Sequence, residues 1–186
     1  KTGCFTIGAL ELTDLTQNVI QTIILAPTRE LSAQIKSVLD SIGKQMKELK
    51  TLLLVGGSAT DIDIKALKDN LPQIVVGCPG RIHDLMRRRH INGQKLKLII
   101  LDEADEMLSS GFKDQIYSIF QFLANNVQVA LFSATMPTSL FSLTEKFMHD
   151  PVKIIVKTEQ LTLEGIKQYY VNLEDDNQKY DTLKDL

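Results

Sequence analysis

Five short runs of branched apolar residues constrain the fold of this chain more than any other feature. The runs cover residues 23–26, 52–55, 74–76, 98–101 and 127–132, and the run at 98–101 has the composition of a strand buried on both faces. The segments between the runs carry apolar residues at steps of three and four, which is the spacing of one helix face. Strands that alternate with helices predict an α/β fold: a parallel sheet with helices on both faces.

Local start and stop signals bound the predicted helices. Thr60 opens a capped helix start, and Pro72 ends that helix. Further helices are predicted after Pro79, over residues 112–123 and over residues 138–148. A helix therefore follows each of the later runs, as a parallel sheet requires.

The end of the chain differs in character from the rest. Residues 152–156 predict one more strand, whereas residues 157–165 are polar and without a period, as a linker would be. Residues 166–173 alternate loosely, like a strand, and a helix start follows them. We therefore expect a first domain over 1–156 and the start of a second over 166–186. The alternative is a C-terminal arm that packs back on the first domain.

Composition excludes several classes of protein. The 186 residues are 44% hydrophobic and 24% charged, which is typical of a soluble globular domain. No apolar run approaches the roughly 20 residues that cross a bilayer, so no membrane partner is expected. A net charge of −2 restricts any nucleic-acid contact to a local patch. Cys4 and Cys78 form neither a disulfide framework nor a zinc motif, which favours the cytoplasm, with the nucleus as the alternative.

Acidic residues directly follow the run at 98–101. Ligands of open parallel sheets bind outside the carboxyl ends of the strands. Asp102 is therefore a candidate to hold Mg²⁺, and Glu103 to orient or deprotonate a water molecule. An ordinary polar loop before a helix explains these residues equally well when they are considered alone.

Lys1 and Thr2 match the last two positions of a P-loop. In that motif the lysine reaches the terminal phosphates and the hydroxyl ligates Mg²⁺. Gly3 and an apolar, helix-like stretch follow the pair. Chance explains an isolated Lys-Thr pair better, but an acidic strand end at Asp102 favours the P-loop interpretation.

A short motif follows every run. In chain order these are Pro27-Thr28-Arg29-Glu30-Leu31, Gly56-Gly57, Cys78-Pro79-Gly80-Arg81, Asp102-Glu103-Ala104-Asp105 and Ser133-Ala134-Thr135. Each alone is compatible with an ordinary strand-to-helix turn. Together and in this order they resemble the first RecA-like domain of DEAD-box RNA helicases, over essentially the whole chain. Residues 102–111 and 161–168 are similar to the initiation-factor-4A branch of that family.

The resemblance implies a RecA-like P-loop NTPase that uses ATP and Mg²⁺. It implies that Lys1, Thr2 and Gly3 bind the nucleotide, and that Thr2 and Asp102 hold Mg²⁺ through water. Glu103 would position the attacking water. The hydroxyls of Ser133 and Thr135 would bond Asp105 and couple ATP to domain closure. Simple capping of the following helix is the alternative for these two hydroxyls.

The family's P-loop glycines, and the strand that feeds them, have no counterpart in this sequence. We therefore expect a sheet that is incomplete at its N-terminal side. Because the missing strand is normally central, we also expect a slot beside its neighbours. The 186-residue chain alone is then expected not to hydrolyse ATP.

The resemblance also implies an RNA groove. Contacts to phosphate and sugar would make binding independent of base sequence, and contacts to 2′-hydroxyls would favour RNA over DNA. One position departs from the family, which usually has threonine where this chain has Cys78. A thiol is the weaker donor, so we expect a loss of less than about 1 kcal/mol in one phosphate contact. The implied groove residues are Thr28, Arg29, Gly56, Gly57, Cys78, Gly80 and Arg81.

The function implied is that of an ATP-dependent RNA helicase of the initiation-factor-4A type, which unwinds short duplexes. A monomer is expected, with a scaffold protein of the initiation-factor-4G type as a partner. An ATP-gated RNA clamp in a splicing-linked or ribosome-assembly complex would share every motif, and this alternative stays open. A P-loop ATPase that is not a helicase is disfavoured by the motifs at 27–31 and 133–135.

Overall fold

A computed structural model describes residues 1–109, 111–155, 165–167, 169–173 and 175–186. Within these residues the strands are β1 (Thr22–Leu25), β2 (Thr51–Leu54), β3 (Ile74–Gly77), β4 (Leu98–Leu101) and β5 (Gln128–Leu131). The helices are α1 (Thr2–Glu11), α2 (Arg29–Ile42), α3 (Thr60–Asn70), α4 (Pro79–Arg87), α5 (Ala104–Ser109), α6 (Lys113–Gln121), α7 (Thr138–Phe147) and α8 (Lys179–Asp185).

The five strands form one parallel sheet in the order β2-β3-β1-β4-β5. The register places Ile23 of β1 between Val75 of β3 and Ile99 of β4. The predicted parallel sheet is therefore confirmed. The predicted slot is wrong over the described residues, because each strand pairs directly with the next. The open ladders belong to the outer edges of β2 and β5.

Alternation along the strands explains why helices cover both faces. Ile23 and Leu25 belong to one buried cluster with apolar side chains of α4, α5, α6 and α7. Ile24 and Ala26 point to the opposite face and pack in a second cluster with α1 and α2. Because successive strand residues alternate between faces, a four-residue strand can serve both cores.

Three of the local predictions, two strands near the end of the chain and one helix cap, differ from the structure. Over residues 152–155, and over the described part of 166–173, the chain forms no strand, so both strand predictions are wrong there. A strand needs a paired neighbour, and the side chains of Val152 and Ile154 are instead almost fully exposed. The capped start at Thr60 is also wrong, because Ala59 occupies the N-cap position and no side chain caps α3.

The chain divides into two compact units, Lys1–Pro151 and Val152–Leu186. The first unit contains the sheet and helices α1 to α7, and the second contains α8. Residues 157–164 of the predicted linker lie outside the described residues, so the domain boundaries stay predictions. Over the described ranges, each helix is too short or too polar to cross a membrane.

Candidate functional site

All five motifs lie just beyond the carboxyl ends of the strands, and the strand order sorts them into two groups. The motifs after β2, β3 and β1 are neighbours on one part of the sheet edge. The acidic motif after β4 and the Ser-Ala-Thr motif after β5 are neighbours on the other part. The connections that follow β1 lead to strands on one side of it, whereas β4 and β5 lie on its other side. The boundary between β1 and β4 is therefore a topological switch point, which is where open α/β sheets bind ligands.

The first residue of the chain meets the acidic motif. Lys1 Nζ lies 2.8 Å from Glu103 Oε1 and donates a hydrogen bond to it. This hydrogen bond, together with the charges of Glu103, Asp102 and Asp105, raises the pKa of Lys1 above its usual value. The ammonium group is therefore fully charged at neutral pH and faces three carboxylates, as a lysine that neutralises phosphate would.

Asp102 is almost fully buried at the end of β4, with 2% of its surface exposed. Its backbone amide donates to the carbonyl of Leu25, and its Oδ1 accepts from the amide of Glu103 at 3.1 Å. Burial raises the pKa of the Asp102 carboxyl, and the adjacent charge of Glu103 adds to the shift. A carboxylate in this position is short of positive charge, so it would favour a bound cation.

The backbone of Glu103 adopts the left-handed region, with φ of +47°. Such a conformation costs a non-glycine residue about 1 kcal/mol or more. Here the turn allows the Glu103 amide to bond Asp102 while its side chain reaches Lys1. The strain is thus located at the residue with the proposed water-orienting role.

Helix α1 begins at Thr2, directly beside this carboxylate pair. The amides of its first turn have no acceptor within the helix, no side chain caps the helix start, and no acidic residue lies in the first turn. Thr2 and Gly3 belong to this turn. A helix start of this kind attracts anions such as phosphate.

The motif after β5 is tied to the acidic motif by hydrogen bonds. Thr135 donates to Asp105 Oδ2 from its hydroxyl at 2.6 Å and from its amide at 3.1 Å. Ser133 Oγ accepts from the amide of Asp105 at 3.3 Å, and the Phe132 carbonyl accepts from that of Ala104. Ser133 therefore caps α5, whereas α7 begins after Pro137 without a side-chain cap. Capping of α7, the alternative for these hydroxyls, is not what they do.

A cleft of about 590 Å³ lies on the other part of the sheet edge. Six of the seven predicted groove residues line it, and Gly57 adjoins it through Arg29. Thr28 also caps α2, because its Oγ1 accepts from the amide of Leu31 at 3.2 Å. The lining residues are Pro27, Thr28, Arg29, Glu30, Gly56, Cys78, Gly80, Arg81, Asp84 and Phe112.

Arg29 lies over the glycine pair. A Cβ atom added to Gly57 would stand 2.3 Å from Arg29 Nη1, and Gly57 has φ of +100°. The conformation favours glycine at this position, whereas the close approach is to the flexible end of the Arg29 side chain, which a larger residue would displace. The guanidinium group of Arg29 is exposed, so it can meet a phosphate in the cleft.

Arg81 is held differently. Its Nη1 pairs with Asp63 of α3, and its Nη2 donates to the Ser58 carbonyl at 2.7 Å. The side chains of Arg81 and Asp63 are 8% and 12% exposed. The charge of Arg81 is thus already neutralised. A direct phosphate contact would compete with the pair.

Cys78 lies at the N-cap of α4, and no side-chain bond caps that helix. Its Sγ is 3.6 Å from Ser32 Oγ, which itself donates to the Thr28 carbonyl. The thiol therefore contacts the first turn of α2 from the start of α4, and Cys78 is one of the residues that line the cleft.

The residues present fit Mg²⁺ held in the manner of nucleotide enzymes. Among the described residues, no three His, Cys, Asp or Glu side chains form a cage that could hold a metal alone. Mg²⁺ in phosphate-transfer sites uses one or two carboxylates, several waters and the substrate phosphates instead. The buried carboxyl of Asp102, with its raised pKa, suits that mode.

Besides Pro27 and Glu30, which belong to the motif after β1, three residues of the site escaped sequence reasoning. Asp63 pairs with Arg81, while Asp84 and Phe112 line the cleft. Asp63 and Asp84 lie within helices among other charged residues, and nothing in their spacing marks them. Phe112 follows Gly111 in the stretch similar to initiation factor 4A, but a single aromatic residue gives no functional signal.

The sequence and the fold of this chain are similar to those of known proteins. The DEAD/DEAH box helicase family matches residues 1–143. A protein of Lodderomyces elongisporus described as "ATP-dependent RNA helicase eIF4A" is 52% identical over all 186 residues of this chain, which correspond to 46% of its own length. The protein of the same description from Coccidioides immitis has the same identity and coverage. The chain therefore spans about half the length of the curated relatives that it matches.

Solved structures of the same kind are also similar. A DEAD box protein from the hyperthermophile Methanococcus jannaschii has 38% identity and a TM-score of 0.79, over 98% of this chain and 48% of that one. Saccharomyces cerevisiae Dbp5 bound to RNA and ADP BeF3 has 32% identity and a TM-score of 0.83, over 98% of this chain and 45% of that one.

Proposed function

Since this chain belongs to the DEAD/DEAH box helicase family, we propose that it forms the nucleotide-binding half of an ATP-dependent RNA helicase of the initiation-factor-4A type. The whole protein would couple ATP binding and hydrolysis to RNA binding and local duplex unwinding. The observation that carries the proposal is the 2.8 Å contact between Lys1 and Glu103, because it joins the P-loop pair to the acidic motif.

Lys1 and Glu103 would exchange partners when ATP binds. The terminal phosphates would take the place of Glu103 on the Lys1 ammonium, assisted by the free amides of the first turn of α1. Glu103 would then be released to orient the attacking water. In-line phosphoryl transfer needs this positioning and charge neutralisation more than covalent chemistry.

Thr2 and Asp102 would hold Mg²⁺ through water molecules. The ion, when bound, would neutralise charge on the phosphate oxygens. What Asp102 contributes is a carboxylate fixed by the Glu103 amide and shielded from bulk solvent.

RNA would lie in the cleft beside β1, β2 and β3. Arg29 would supply the positive charge there, and Thr28, Gly56, Gly57, Cys78 and Gly80 would bring backbone groups close to phosphates. Asp105, with Ser133 and Thr135, would link the nucleotide site to domain closure. Their hydrogen bonds join the loops after β4 and β5.

The protein would act as a monomer in the cytoplasm, with a scaffold of the initiation-factor-4G type as its partner. The 186-residue chain alone would not turn over ATP, because a second domain would have to complete both the nucleotide site and the RNA groove.

The test uses a full-length hybrid, in which this chain replaces the matching 46% of the L. elongisporus relative. We expect ATP turnover by the hybrid to rise when single-stranded RNA is added, and Glu103→Gln to abolish turnover. Glu145→Gln makes the same change at an exposed site on α7 and should leave turnover unchanged.

Two results would overturn the proposal. ATP turnover that RNA does not change would indicate a P-loop ATPase without helicase function. RNA that stays bound after ATP addition, with no repeated turnover, would instead indicate an ATP-gated clamp.

A further inference from the structure

Asp63 and Arg81 form a nearly buried ion pair between α3 and the start of α4. Both side chains are much less exposed than those of a surface ion pair. The attraction between the two charges offsets their cost of desolvation only when the geometry of the pair is fixed. Arg81 uses its second terminal nitrogen to hold the Ser58 carbonyl. Ser58 directly follows Gly56-Gly57, so the pair reaches the loop on which Arg29 rests.

We propose that Asp63 is a positioning residue of the RNA cleft and that Arg81 is a brace, not a phosphate ligand. Asp63 fixes Arg81, Arg81 fixes the loop at Ser58, and that loop presents Gly57 to Arg29. The inference rests on the proposed RNA-binding function and deepens it. It divides the two arginines of the cleft into one that meets phosphate, Arg29, and one that shapes the surface.

The geometry of the guanidinium group supports this division. A planar fork can bond Asp63 on one side and a backbone carbonyl on the other, whereas the point charge of lysine serves one partner at a time. Arginine can also bond phosphate with two donors, so Arg81→Lys alone does not separate the two roles. Arg81→Lys tests the brace, because it keeps the charge and the pair with Asp63 but loses the bond to Ser58. Arg81→Gln tests the phosphate contact, because losing such a contact lowers the salt slope.

The experiment measures the affinity of the full-length hybrid for a labelled oligouridylate, with a non-hydrolysable ATP analogue, over a series of salt concentrations. Each phosphate contact to a single strand contributes about 0.7 to the slope of log affinity against log salt. We expect Arg29→Gln to lower the magnitude of the slope by about that amount. Arg81→Lys and Arg81→Gln should weaken binding by about tenfold at one salt concentration, with the slope unchanged, and Asp63→Asn should weaken binding by a similar factor.

Three controls sharpen the comparison. Asp61→Asn changes the net charge by the same amount at an exposed position of α3, and affinity should stay within about twofold. Asp63→Glu retains the carboxylate and should recover part of the affinity. The double variant of Asp63→Asn with Arg81→Gln should bind RNA as well as the single variant that has the lower affinity. The two losses should not add, because the two residues are in contact.

The outcomes distinguish this inference from the proposed function. A hybrid that binds no RNA refutes the proposed function. A hybrid that binds RNA, but loses slope with Arg81→Gln as it does with Arg29→Gln, refutes the brace. Unchanged affinity in Asp63→Asn and Arg81→Lys also refutes it. If Asp63→Asn does not fold in thermal unfolding, Arg81→Lys decides, since it leaves the ion pair intact.

Discussion

Thr135 donates two hydrogen bonds to the same oxygen of Asp105, one from its hydroxyl and one from its amide. Partial burial opposes ionisation of Asp105, but the hydrogen bonds from the hydroxyls of Thr135 and Ser133 lower the pKa of its carboxyl below the usual value. The charged form of Asp105 is therefore what holds the loops after β4 and β5 together.

Replacing Thr135 with valine should remove the hydroxyl contact and keep the volume of the side chain. We expect a loss of about 1 kcal/mol in the free energy of unfolding at pH 7, the size of one partly exposed hydrogen bond. A carboxyl whose pKa is lowered by folding stabilises the fold above its unfolded-state pKa. That contribution is lost as the pH falls through the folded-state value. The difference between wild type and Thr135→Val should therefore shrink in acid.

Denaturant unfolding at pH 7 and over a series of pH values below about 3.8 measures this difference. Thr135→Ser is the control, because it keeps the hydroxyl and should retain most of the stability. Equal losses in the serine and valine variants would show that packing, not the bond to Asp105, determines the effect.

The pair of Lys1 and Glu103 should matter for activity far more than for stability. The two side chains are 42% and 30% exposed, so breaking their contact should cost less than about 1 kcal/mol. In the full-length hybrid, Lys1→Met should lower ATP turnover by about 100-fold, because a positioned cation at the phosphates is lost. Lys36→Met, which removes a lysine from the surface pair with Asp40, should leave turnover unchanged. A large loss of stability in Lys1→Met would contradict the functional interpretation.

Asp102 should reduce the stability of the fold at neutral pH. Folding raises the pKa of its carboxyl, so its contribution is fully favourable below the unfolded-state value of about 3.9 and is lost as the pH rises through the folded-state value. Asp102→Asn keeps an oxygen for the Glu103 amide and removes the charge. The variant should therefore be more stable than wild type at pH 7, and the gain should disappear near pH 3.

Mg²⁺ with ATP provides the complementary measurement on Asp102. The ligand should raise the melting temperature of the wild type and have little effect on Asp102→Asn, since a ligand stabilises only the state that binds it. If Asp102→Asn is less stable than wild type at pH 7, the buried charge does not destabilise the fold. If Mg²⁺ with ATP stabilises the variant and the wild type equally, Asp102 does not hold Mg²⁺.

The parallel sheet, though not its strand order, could be predicted from the sequence because the inner strands β1, β3 and β4 are buried on both faces. Ile99 and Ile100 belong to an uninterrupted apolar run, and such a run leaves few alternatives to an interior strand. Residues 152–155 have similar side chains but form no strand. Local composition indicates that a segment would suit a sheet, but only the fold determines whether a neighbour is there to pair with it.

Those residues of the candidate site that belong to a short motif after a strand could be predicted from the sequence. The contact of Asp105 with Ser133 and Thr135 was implied by the family resemblance that the motifs carry, and the structure contains hydrogen bonds between these residues. The pair of Asp63 and Arg81 was not predictable, because an ion pair between two helices leaves no periodic or local signal. Such partners follow from the three-dimensional arrangement of α3 and α4 alone.

A side chain at Gly57 should strain the backbone and displace the end of the Arg29 side chain. Alanine at this position meets Arg29 Nη1 and must also adopt φ of +100°, which costs an L-residue about 1–2 kcal/mol. We expect Gly57→Ala to displace Arg29 and weaken RNA binding with a smaller salt slope. Gly8→Ala, where no atom lies within 4 Å in α1, should instead be neutral or stabilising. Unchanged RNA affinity in Gly57→Ala would show that Arg29 does not need its present position.

Cys78→Thr should strengthen RNA binding. Cys78 lines the cleft, its Sγ lies 3.6 Å from Ser32 Oγ, and its extended backbone accepts a β-branched residue. A hydroxyl is the better donor to phosphate, and the gain should remain below about 1 kcal/mol, or about fivefold in affinity. Cys4→Thr, at an exposed position of α1, is the matched control and should leave affinity unchanged.

The salt series identifies the origin of any gain from Cys78→Thr. An uncharged donor adds no counterion release, so affinity should rise equally at every salt concentration while the slope stays constant. Binding that weakens would mean that the smaller, more polarisable thiol packs against Ser32 better than a hydroxyl and a methyl group do. In that case Cys78 contributes to the shape of the cleft, and the phosphate contact belongs to the backbone at the start of α4.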